Sequence, residues 1–128
     1  MIDRRRAFLL LISLAATFVI VRAALSVRPN ADFDVGGYNI HHLFTGVLLL
    51  TLCSIPLVLS NARSRMADAA TIGFGIGLSL VLDEWVYLIA TDGSNASYLL
   101  CVSWVGGAFM VGLACCYVGL LLALGNRR

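Results

Sequence analysis

Ala69-Ala70-Thr71-Ile72-Gly73-Phe74-Gly75-Ile76-Gly77-Leu78-Ser79-Leu80-Val81-Leu82-Asp83-Glu84-Trp85-Val86-Tyr87-Leu88-Ile89-Ala90 carries no charge other than its two adjacent acids. About 20 apolar residues in a helix span the hydrocarbon core of a bilayer, so the stretch predicts a membrane-crossing helix. Asp83 and Glu84 then stand inside it. Each ionised carboxylate near the bilayer centre costs roughly 2.5–3.5 kcal/mol, so both acids must be neutralised, paired, hydrated or bound to a cation. One stretch thus sets the fold class and points to a polar site.

Three further apolar runs flank it. The expected helices cover about 7–27, 38–60, 67–91 and 98–125 of the 128 residues. With 60% hydrophobic and 12% charged residues, no room remains for a soluble domain. The expected fold is all-α: a single integral membrane four-helix bundle over residues 1–128.

All nine basic side chains are arginine. Arg4, Arg5, Arg6, Arg63, Arg65, Arg127 and Arg128 fall on one side of the spans, and Arg22 and Arg28 towards the other. The positive-inside rule then places both termini in the cytoplasm, with the 28–40 and 91–97 loops outside. These arginines flank spans without forming a basic stripe, so no nucleic-acid partner is expected. The lipid bilayer is the expected surrounding. Arg5-Arg6-Ala7-Phe8-Leu9 resembles a twin-arginine export signal, but no small-x-small cleavage site follows, so a retained first helix is expected. Asn95-Ala96-Ser97 matches the glycosylation tripeptide and reads as a polar loop.

Depth along the helices gathers the titratable groups. At about 1.5 Å per residue, Asp83 and Glu84 lie roughly 10–12 Å below the outer end of the third helix. Arg22 lies at a similar depth in the first helix, and His41 and His42 stand at the outer entry of the second. Thr45 follows His41 by four residues and His42 by three, while Ser79, Asp83 and Tyr87 recur at intervals of four. Residues so spaced share a helix face. Asp83 and Glu84 diverge by about 100° around the axis, so both point inward only if the site lies between neighbouring helices.

Imidazoles beside carboxylates suit a divalent or transition metal, with zinc, iron or manganese the expected ions. The expected ligands are His41, His42, Asp83 and Glu84, supported by Arg22, Thr45 and Tyr87. No His-x-x-x-His or Glu-x-x-His spacing accompanies them. The alternatives are proton or ion conduction through an acid–imidazole relay, acid–base catalysis on a lipid or quinone-like substrate, and an accessory or scaffold protein whose buried ion pairs hold helices together. The last would pair Arg22 with one of the acids and leave the histidines as helix-entry or headgroup residues beside Tyr38, Trp85 and Tyr98.

The glycines predict close packing. Gly73 and Gly77 form a Gly-x-x-x-Gly step, and Gly106, Gly107, Gly112 and Gly119 mark the fourth helix. Such faces serve the bundle itself, a homo-oligomer or a membrane-protein partner. Cys53, Cys101, Cys115 and Cys116 all fall within spans, so no disulfide framework is expected, although Cys53 and the Cys115-Cys116 pair raise the idea of a thiol site. Pro56 is expected to bend or end the second helix.

Ile40-His41-His42-Leu43-Phe44-Thr45-Gly46 and Gly73-Phe74-Gly75-Ile76-Gly77-Leu78-Ser79-Leu80-Val81-Leu82-Asp83-Glu84 resemble the paired signatures of a group of small bacterial and archaeal multi-spanning membrane proteins. One helix carries His-His-x-x-x-Gly and the next a Gly-x-Gly-Leu run ending in Asp-Glu. The similarity extends into the Thr91–Tyr98 loop and covers about half of the chain. It implies the fold and the choice of site residues; the expected location is the bacterial inner membrane. It implies no reaction.

Overall fold

The computed structural model describes residues 2–28, 34–35, 38–59 and 64–125; Arg63, Arg127, Arg128 and the side chain of Tyr38, all used above, lie outside the described parts. Helix α1 spans Arg4–Val27. It starts three residues before the expected Ala7 because the Asp3 carboxylate accepts the Arg6 N–H at 3.2 Å, satisfying one of the orphan donors of the first turn.

A short antiparallel pair follows, β1 (Asp34–Val35) and β2 (Tyr38–Asn39), with Asp34 opposite Asn39 and Val35 opposite Tyr38. This corrects the second helix: residues 38–39 belong to a strand, and α2 spans His42–Leu59. It continues through Pro56, which does not end it.

Helix α3 covers Arg65–Ala90. The Ser64 hydroxyl accepts the Ala67 N–H at 3.1 Å, and Asp68 in the first turn favours the positive end of the helix dipole. The expected 98–125 helix starts three residues later, as α5 (Cys101–Gly125), and the expected 91–97 loop carries a short helix of its own, α4 (Asn95–Tyr98). The Tyr98 carbonyl, which a continuous helix would use internally, instead accepts a bond from Arg22 at 3.1 Å.

Among the described residues the regular structure is therefore helical apart from the two-residue strands, and α1, α2, α3 and α5 are long and apolar enough to cross a membrane. Helix α3 is the hub. It packs against α1, α2 and α5, while α1 also touches α5 and α2 leans chiefly on α3 alone. The glycines of α3 divide the work. A Cβ on Gly77 would lie 2.8 Å from the Gly46 carbonyl, and one on Gly46 would lie 2.7 Å from the Gly77 carbonyl, so α2 and α3 meet backbone to backbone. Gly73 accommodates Cys53 on the same side, whereas Gly75 makes room for Ser13 of α1. On α5, Gly106 faces Val86, while Gly112 and Gly119 face open space.

The polarity is inverted relative to a water-soluble domain. Arg22, Asp83, Glu84, Ser79 and Ser103 are buried, whereas Phe8, Ile20, Phe44, Val58, Ile89 and Phe109 are exposed. Both described chain ends lie at one end of the assembly. Ile2 reaches Gly125, and Arg5 pairs with Asp68 at the start of α3. The opposite end gathers the close of α1, the start of α2, the close of α3 and the start of α5.

Candidate functional site

At that opposite end Asp83 and Glu84 point to different neighbours, as their angular separation requires. Asp83 faces α1 and α5. Its Oδ1 accepts the Arg22 Nε–H at 2.5 Å, and its Oδ2 receives the Tyr98 hydroxyl and lies 3.0 Å from His42 Nε2. Glu84 faces α2. Its Oε2 accepts the Leu43 N–H at 2.7 Å, so a carboxylate from α3 caps the first turn of α2. Its Oε1 lies 3.2 Å from His41 Nδ1 and 3.3 Å from His42 Nδ1.

Arg22 is saturated. Besides the Asp83 carboxylate, its guanidinium donates to the carbonyls of Tyr98 (3.1 Å), Asp83 (3.2 Å) and Ser103 (3.0 Å) and to the Ser103 hydroxyl (3.0 Å). That uses all the N–H donors the group possesses. Its Cζ also lies 4.1 Å from the centroid of the Tyr98 ring and 5.1 Å from that of Trp104. A Cβ on Gly107 would fall 2.8 Å from Asp83 Oδ1 and 3.0 Å from Arg22 Nη2, so only glycine lets α5 close over the pair.

Of the expected site residues, His41, His42, Asp83, Glu84 and Arg22 come together. Arg22 pairs with Asp83, not Glu84. Tyr87 is buried beside them, its ring 6.0 Å from that of His41 and 5.2 Å from that of Tyr98, but its hydroxyl donates away to the Ser94 carbonyl at 3.1 Å. Thr45 is exposed and makes no hydrogen bond to the cluster among the described residues, because Gly46, one position on, is the residue of α2 that faces α3. Ser79, one turn below Asp83, is fully buried, and its Oγ has no hydrogen-bond partner.

Tyr98 and Ser103 belong to the site and were not anticipated there. Tyr98 was read as an interfacial ring, yet it is buried and donates to Asp83. The available signal was the demand of Arg22 itself: a buried guanidinium needs several acceptors, and the Ser94–Ser103 segment is rich in them. The thiol site that Cys53 with Cys115 and Cys116 could have formed is not seen among the described residues. Cys53 packs on Gly73 of α3, the other two lie on α5, and all four cysteines are free.

Among the described residues no three His, Cys, Asp or Glu side chains close around a point that would hold a metal ion. The donors are engaged with one another: Asp83 by Arg22, Tyr98 and His42, and Glu84 Oε2 by the α2 backbone. The side chains of Arg22, Asp83 and Glu84 are 1%, 1% and 3% exposed, whereas His41 and His42 retain 25% and 21%. The imidazoles are the doorway to two sealed carboxylates. Comparison with known protein families, curated proteins and solved structures returned no match.

Proposed function

We propose that this chain is a multi-pass protein of the bacterial inner membrane, with both termini cytoplasmic, and that its outer-side cluster is a cation-binding site. The inverted polarity, the arginine distribution and the resemblance to small bacterial and archaeal membrane proteins support the location.

One observation carries the cation reading: two buried carboxylates share one arginine. Arg22 balances Asp83, and Glu84 is left with the Leu43 N–H and two imidazoles. A buried unbalanced carboxylate is costly, so a second positive charge belongs here, entering through the partly exposed histidines. The two nitrogens of the His42 ring lie 3.0 Å from Asp83 Oδ2 and 3.3 Å from Glu84 Oε1. A neutral imidazole carries only one N–H, so an additional proton lets His42 donate to both acids. The proton is the occupant this geometry supports best. Among the described side chains the outer end carries Asp83, Glu84 and Asp92 against Arg22 and Arg28, one acid in excess, which favours the approach of a cation.

A divalent metal, zinc, iron or manganese, is the second reading. It is favoured by the two Nδ1 atoms that converge on Glu84 Oε1 at 3.2 and 3.3 Å. Ligands held 2.0–2.1 Å from a tetrahedral zinc ion stand about 3.3 Å apart, so these two separations match two edges of such a site. A scaffold role needs only the Arg22 half.

Elemental analysis and pH-dependent infrared spectra of untagged, detergent-purified protein test the readings, alongside Glu84→Gln and His42→Ala variants of matched monodispersity. The proton reading expects no stoichiometric metal and a carboxyl–imidazole infrared signal that disappears in both variants. About one metal per chain, lost in both variants, establishes the second reading. Neither signal reduces the cluster to a helix clamp.

A further inference from the structure

At the end of the molecule remote from the cluster, α1 and α3 begin side by side. Arg5 Nη2 lies 2.9 Å from Asp68 Oδ2 while the Arg5 side chain stays 75% exposed. Arg6 Nε lies 3.6 Å from Asp68 Oδ1 and 3.9 Å from Asp3 Oδ2, beyond hydrogen-bond reach, and this buried atom has no hydrogen-bond partner among the described residues. Arg65, the first residue of α3, is exposed. Among the described residues this end carries Arg4, Arg5, Arg6 and Arg65 against Asp3 and Asp68, a surplus of positive charge.

We infer that this basic end binds the phosphate of an anionic phospholipid, with Arg5, Arg6 and Arg65 supplying the guanidinium donors. Guanidinium forks match phosphate oxygens in pairs. The lipid is favoured over free phosphate because exposed apolar side chains lie on the same helix faces as basic ones: Phe8 follows Arg5 by three residues, and Ile72 follows Arg65 by seven. A ligand with a charged head and an apolar tail uses both. Orthophosphate uses only the first.

The inference rests on the membrane location proposed above, and the experiment separates the two. Carbonate-washed membranes are assayed first: protein released by the wash overturns the location. Retained protein is then purified in detergent, and its bound lipid is counted by native mass spectrometry after exposure to phosphatidylglycerol or phosphatidylcholine of matched chains. Preferential retention of phosphatidylglycerol is expected, weakened about fivefold in Arg65→Gln and about tenfold or more in Arg5→Gln/Arg65→Gln. Arg65→Gln leaves both Asp68 pairs in place, so it decides the matter if the double variant fails to fold. Equal retention of the two lipids, or unchanged retention in the variants, overturns the inference. Full displacement by millimolar inorganic phosphate identifies a free-phosphate site and overturns it as well.

Discussion

The two halves of the polar cluster are built from neighbouring acids on one helix, yet they are opposite in character. The Asp83 half is sealed and complete: Arg22 spends every donor, Tyr98 and Gly107 close over it, and α1, α3 and α5 are tied together. The Glu84 half is open and unfinished, with partly exposed imidazoles on an α2 that leans chiefly on α3. The difference teaches that adjacency in sequence says little about role. One step of about 100° around α3 separates a clamp between helices from a site still able to take a charge.

Breaking the sealed half has the largest expected effect. Arg22→Met leaves Asp83 buried beside a hydrocarbon chain, so a loss of about 3–5 kcal/mol is expected, read as a lower denaturation midpoint in detergent. Arg22→Met/Asp83→Leu removes both charges and should recover at least half of that loss. If the double variant is no more stable than the single, the pair is not the clamp described here.

A smaller effect is expected at the seam between the halves. A Cβ on Gly46 meets the Gly77 carbonyl at 2.7 Å and the Val81 Cγ2 at 2.9 Å, so Gly46→Ala pushes α2 away from α3. The overpacking should cost about 1–3 kcal/mol. Its signature is selective: the carboxyl–imidazole infrared signal should change while amide protection around Arg22 and Ser103 is retained. Equal disturbance of both halves contradicts their separate roles, since His42 alone of the α2 side chains touches both acids among the described residues.

The smallest effect lies in the turn that delivers Tyr98 to the cluster. The Ser94 N–H and hydroxyl donate to Asp92 at 3.0 and 2.8 Å, holding its carboxyl below the usual carboxylate range. Because the folded value is depressed, the stabilisation is present above the ordinary carboxylate pKa and is lost as pH falls through the lower folded value. Exchange of the Ser94 amide should therefore gain protection as pH rises through the acid range, once corrected for intrinsic rates, and Asp92→Asn should flatten that profile.

Much of this was legible in the chain. Four apolar runs of bilayer length are a one-dimensional property, set by composition and the rise of a helix, and the four long helices follow them with shifted ends. The common depth of Arg22, His41, His42, Asp83 and Glu84 is likewise a matter of counting residues from helix ends. The shifts came where side chains compete with backbone: Asp3 lengthens α1, Glu84 caps α2 after the β1–β2 pair, and Arg22 takes the Tyr98 carbonyl that would have joined α4 to α5.

What the sequence by itself determined, then, is the number and length of the apolar helices and the level at which the polar groups stand. Only the tertiary structure decided which acid Arg22 takes, that Tyr98 and Ser103 complete its shell, and that Thr45 turns outward while Gly46 turns in. The physical reason is that rise along a helix depends on counting alone. Rotation about the helix and choice of neighbour depend on which small residues let backbones approach, here Gly46 on Gly77, Gly75 on Ser13 and Gly107 over Asp83.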